Sequence, residues 1–170
     1  MKFIKSILVI IAFVLVSNVE AQDLKFGHVD IQKMVAELPE KVTADKELQA
    51  EAVKLEEQLN VMRADLEKKY TDYMAQRDSL PELIRATKEK DIQDTDQRIQ
   101  QYSQMARQSL GQKEQQLLQP IIQKVQAAIA EVGQEQGLIY IFDISSQVVL
   151  YHSTASVDCA PLVKAKLTVQ

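Results

Sequence analysis

The chain has 170 residues, a formal net charge of -4, a single Cys and no Trp. The acidic balance excludes the basic stripe that nucleic-acid phosphates require, and one cysteine excludes an intramolecular disulfide. Sparse Gly and Pro with abundant Gln, Glu, Lys, Ala and Leu favour long helices over a compact mixed core.

At the N-terminus Lys2 and Lys5 precede an apolar run over 7–16, then Ser17, Asn18 and Val19-Glu20-Ala21. This order predicts a secretory signal peptide over 1–21, cut between Ala21 and Gln22. The run is too short to stay as an anchor, since a spanning helix needs roughly 20 apolar residues. No cysteine follows it closely, which removes a lipoprotein acceptor. A soluble exported protein is expected.

Residues 24–31 (LKFGHVDI) are short and apolar, which suits a strand. From 43 to about 78, Leu48, Ala52, Leu55, Leu59, Met62, Leu66 and Tyr73 recur at steps of three and four, broken by Lys69. A seam this narrow marks a coiled-coil partner rather than a helix buried all round. Pro81 then lacks the amide a continuing helix needs and restricts Leu80 before it, so a turn is placed at 79–82.

A second helix follows over 83–132, with Ile84, Ile92, Ile99, Tyr102, Ala106, Leu110, Leu117, Ile121, Val125, Ala128 and Val132 on its apolar face. Two helices joined by a tight turn make an antiparallel hairpin, whose arms would span roughly 50 and 70 Å at 1.5 Å per residue. Pro120 is expected to bend the second. Gly133 and Gly137 close it. Segments 138–144 (LIYIFDI) and 148–151 (VVLY) read as two strands around a turn at 145–147, joined by the first strand in one sheet. Asp158 is expected to cap a short helix running to Leu167, with Pro161 in its first turn.

Little in this order suggests a reacting centre. His28 and His152 lie on expected strands without HExxH spacing or a cysteine cluster, and read as structural. Gly133 to Gly137 forms GxxxG in a polar setting and reads as a helix end. Asp91, Asp94 and Asp96 lack the glycine and closing glutamate of an EF-hand loop and read as a solvated face. Cys159 has no CxxC partner and reads as a small residue near a helix start. No catalytic residue, cofactor or metal is expected.

Taken together, Phe26-Gly27-His28-Val29-Asp30, Glu37-Leu38-Pro39-Glu40, Leu118-Gln119-Pro120-Ile121-Ile122, Gly137-Leu138-Ile139-Tyr140-Ile141-Phe142-Asp143 and Asp158-Cys159-Ala160-Pro161-Leu162-Val163 resemble the Skp (OmpH) family of periplasmic chaperones. The resemblance covers essentially the whole mature chain. It implies an α+β fold, mostly α, in which a long antiparallel helical hairpin projects from a small β-rich trimerisation body. Residues 22–42 would supply the first strand and a short helix of the body, 43–132 the arm, and 133–170 the last strands and helix. It also implies an ATP-independent holdase that keeps unfolded outer-membrane β-barrel proteins from aggregating in the periplasm.

A single chain's short strands leave apolar edges that self-association would cover, so Ile139, Ile141, Val148 and Leu150 are candidates for the core of a homotrimer. Well-known relatives carry basic arm tips, whereas 63–98 here holds eight Lys or Arg against nine Asp or Glu. Electrostatic capture of clients, membrane or lipopolysaccharide is therefore unsupported by charge. Client contact is expected instead at Tyr70, Tyr73, Met74, Leu80 and Ile84, all of which also fit simple arm packing. The alternative function is a coiled-coil spacer or adaptor of the envelope, but a spacer would sustain cleaner heptads.

Overall fold

In a computed structural model, residues 24–146 and 148–169 are described, so the expected signal segment and its Ala21/Gln22 cut lie outside them. Strand β1 (Phe26–Val29) opens the fold. It runs straight into helix α1 (Ile31–Ala36), because the Asp30 carboxylate accepts the Lys33 amide at 2.8 Å and caps the first turn.

Helix α2 covers Pro39–Gln76, four residues earlier than the apolar seam alone suggested. Pro39 explains the difference, since its missing amide and fixed φ suit the first helical position. A short 3-10 turn, Arg77–Ser79, leads through Pro81 into helix α3, Glu82–Gln136. α2 and α3 are 38 and 55 residues long, which is about 57 and 82 Å of helix. Their pairing is antiparallel, because Glu40 meets Lys124, Glu47 meets Lys113 and Lys69 meets Asp91 across the seam.

α3 runs a turn beyond the expected end at Val132. Gly133 stays helical, and Gly137 supplies the left-handed residue (φ 62°) that lets the Leu138 amide return to the Gly133 carbonyl at 2.9 Å. Pro120 sits inside α3 with helix on both sides.

The sheet differs from the expected hairpin of strands. β2 (Tyr140–Asp143) and β3 (Val157–Asp158) both pair with the central β1, and both pairings are parallel, in the order β2-β1-β3. The reason is connectivity: the whole α2–α3 hairpin lies between β1 and β2 and acts as a crossover, which parallel neighbours require. Segment 148–151, read as a strand, belongs to no strand of the chain. Val157 and Asp158, read only as a helix cap, form the third strand, and Asp158 also accepts the Ala160 amide at 2.9 Å as helix α4 (Ala160–Val169) begins.

One face of this sheet packs on the base of the hairpin. Val29, Met34, Val125, Ala128, Val132, Cys159, Val163 and Leu167 form the buried cluster, with Leu138 and Ile141 against it. Each fully buried Val or Leu contributes roughly 1.5–3 kcal/mol. Gly27 is required where β1 crosses this layer: a Cβ there would lie 2.5 Å from Cys159 Sγ and 2.9 Å from Leu138 Cδ1.

Asp143 ties the end of β2 to the start of α1. Its Oδ1 accepts the Ser145 hydroxyl at 2.7 Å, the Ser145 amide at 2.9 Å and the Ile31 amide at 3.3 Å. Burial pushes this carboxyl up, but the Ser145 and Ile31 donors outweigh it and leave it below the ordinary 3.8. A lowered carboxyl stabilises the fold above its unfolded value and loses that contribution as pH falls through its folded value. Asp143→Ala should therefore cost about 1–2 kcal/mol at neutral pH. The difference from wild type should vanish below the Asp143 titration, as urea melts at pH 7 and in strong acid would read.

Candidate functional site

Among the described residues, large apolar groups meet solvent chiefly on the arm surface, on the outer sheet face and in the connection at 148–151. On the arm, Leu48, Leu55, Leu59, Met62 and Leu66 of α2 are only half-buried, because two helices without a third layer cannot close a core around their seam. Deep burial recurs on α3 at Thr95, Ile99, Ile121, Val125, Ala128 and Val132. The proximal arm is thus anchored by the body, and the distal arm is held by the seam alone.

At the distal end the seam turns polar. Lys69, the residue that breaks the heptads, reaches Asp91 at 3.1 Å, Asp65 at 3.4 Å and the Thr95 hydroxyl at 3.1 Å. The Asp91 and Asp65 carboxylates hold the Lys69 ammonium above its usual value. Thr95 is buried, donates to the Asp91 carbonyl at 2.8 Å and accepts from Arg98 at 2.9 Å, so every group in this layer is satisfied. One turn further out Tyr73 donates to Glu89, and that bond raises its hydroxyl pKa.

Tyr73 is only 6% exposed. It packs in the seam, the first of the two places expected for it. Tyr70, Met74 and Ile84 are half or more exposed, or close to it, and Leu80 is half-buried beside the turn. Ile84 was expected in the seam as well, but α2 ends at Gln76 and leaves it without a facing partner. Leu83, Met105 and Val61 are exposed apolar groups that sequence reasoning missed, Leu83 at 77%. They lie off the seam phase, and periodicity searches only that phase.

Charges on the arm neutralise one another locally. Lys90 pairs with Asp94 at 3.4 Å, Asp96 accepts from Gln100 at 2.8 Å, and Asp91 is held by Lys69. The acidic trio is thus dispersed among separate partners. Among the described residues no group of three or more His, Cys, Asp or Glu is placed to hold a metal ion, and no described helix is long and apolar enough to cross a membrane.

On the body, the sheet face turned away from the core carries Phe26, Tyr140 and Phe142. Their ring centroids lie 6.4, 6.3 and 5.9 Å apart, and all three rings are exposed. Of the four candidates for a trimer core, Ile139, Val148 and Leu150 are exposed, Leu150 at 93%. Ile141 is partly buried and packs against the chain's own core cluster. Cys159 lies in that core, where burial pushes its thiol up and keeps it protonated. His28 and His152, distant in sequence, come together as stacked rings 3.9 Å apart, with His28 Nδ1 2.9 Å from the Ser156 hydroxyl.

Comparison with known proteins agrees with this architecture. A solved crystal structure of an OmpH-like outer membrane chaperone from Caulobacter crescentus CB15 superposes with a TM-score of 0.73 at 17% identity, over 86% of this chain and 85% of that one. At that identity the likeness speaks for the fold. No curated protein matches the chain by sequence. Residues 25–167 match the family described as outer membrane protein (OmpH-like). The chain accordingly belongs to the OmpH/Skp-like outer-membrane protein chaperone family, which is non-enzymatic.

Proposed function

We propose that this protein is an ATP-independent periplasmic holdase that binds unfolded outer-membrane β-barrel proteins as a homotrimer. The observation that carries the reading is the distal arm: a long two-helix hairpin whose seam is half-covered and whose end displays Tyr70, Met74, Leu83 and Ile84 among mutually neutralised charges. Such a surface offers many weak apolar contacts to an extended chain and no reacting group. Several contacts on one flexible client add as effective concentration, so retention needs no single strong site.

Trimerisation is supported by the body. Segment 148–151 has the apolar composition of a strand, pairs with no strand among the described residues, and lies beside an exposed aromatic sheet face. Unpaired edges of this kind seek partner strands. A second copy meets that need by symmetry.

Sedimentation of the mature protein, alone and with a denatured barrel protein, tests both parts. The expected result is a trimer that forms one soluble complex with the client. Val148→Asp with Leu150→Asp should disperse the trimer while leaving each chain folded, because both side chains are exposed in the isolated chain. A monomeric parent, or a client that pellets as if the protein were absent, would contradict the proposal.

A further inference from the structure

The chain's two histidines are brought face to face by the fold. His28 stands on the central strand β1, and His152 lies in the connection from β2 to β3. Their rings are stacked at 3.9 Å with 25° between planes, and the Ser156 hydroxyl at 2.9 Å fixes His28 from the same connection. Beside them lies a cavity of about 370 Å³, lined by Leu24, Phe26, Phe142, Val149 and Tyr151 together with both rings.

No carboxylate lines that cavity. The titratable groups on the neighbouring elements are Tyr151 in the connection, Tyr140 on β2, and Asp143 and Asp158 at the strand ends. Asp143 is turned to Ser145 and Ile31, and Asp158, in register with His28, is engaged with the Ala160 amide. With one ring charged, the stack sets a cation against a neutral aromatic face, which is attractive. With both charged, two like charges meet at stacking distance without an acid between them.

We propose that the His28–His152 stack is a proton-operated latch. Near neutral pH it holds 148–156 against the outer sheet face. When acid charges both imidazoles it releases that segment, which forms one wall of the cavity, and uncovers the sheet face of Phe26 and Phe142. Histidine is the side chain suited to change charge between neutral and mildly acid pH. The inference does not depend on client binding, since it needs only the two rings and the segment that carries one of them, whose residues 148–151 the trimer reading also uses.

Proton NMR of the mature protein tests it cleanly, because only two histidines contribute ring signals. The ring-to-ring Overhauser contact should be present at pH 7.5 and lost at pH 5.0, while the methyl shifts of Val125 and Val132 hold. In His152→Gln, an exposed substitution, the amide shifts of 153–156 should change far less between the two pH values than in wild type. A contact that persists at pH 5.0 with both rings visible would overturn the latch. So would amide changes in His152→Gln as large as those in wild type.

Discussion

Tyr70→Ser, Met74→Ser and Ile84→Ser in one variant should speed release of a denatured barrel protein by on the order of a hundredfold. Each side chain is roughly half exposed and would bury its free part against a client. At about 25 cal/mol per Å², that is roughly 1 kcal/mol each, or ~3 kcal/mol per arm. None of the three supports the hairpin deeply, so helix content should hold. Lys88→Glu with Lys90→Glu should change release by less than about threefold, because exposed pairs such as Lys90–Asp94 contribute ~1 kcal/mol or less. The charges nearby already cancel, and screening beyond about 8 Å removes the remainder at physiological salt. Release kinetics at low and high salt would separate the two variants. A charge variant that loses its client first would show that steering, not apolar contact, holds it.

Val125→Asp should cost at least ~4 kcal/mol and unfold the body, the largest loss expected from any single substitution named here. Val125 is 0% exposed and sits where α3 meets the core cluster containing Met34, Val163 and Leu167. A carboxylate there has no partner and must either desolvate or take a proton. Domains of ordinary stability hold only about 5–15 kcal/mol in total. Val53→Asp, on the exposed side of α2, should stay within about 0.5 kcal/mol. Thermal unfolding followed by circular dichroism would read both. A Val125→Asp protein that melts like wild type would remove the body from its place as the arm's anchor.

The arm was the most legible part of the sequence. Leu48, Ala52, Leu55, Leu59, Met62, Leu66 and Tyr73 all fall in the observed interface, because a narrow apolar stripe of coiled-coil period has one way to be covered. Lys69 was read as an interruption. Its compensation was hidden, since Asp91 and Thr95 reach it only through hairpin register. The body was less legible. Segment 148–151 has strand composition, yet β3 forms at Val157 and Asp158, because pairing is decided by which edge β1 offers after a long crossover. Local pattern carries no information about that edge. Exposure near the tip was not legible either, because it depends on where α2 stops: Tyr73 packs in the seam, while Leu83 stands off the seam phase and is exposed. The histidine pair needed the fold itself, since nothing in the spacing of His28 and His152 marks them as neighbours.

On the proposed reading the hairpin arms hold an unfolded chain by surface alone. Light scattering of a denatured β-barrel protein diluted into buffer, with and without the mature protein and with no nucleotide present, tests it most directly. Scattering should be suppressed at a stoichiometric ratio, equally at low and high salt, and His28→Ala, His152→Ala and Cys159→Ser should each suppress it at neutral pH as wild type does. Undiminished scattering at excess protein, or suppression that disappears as salt rises, would contradict it.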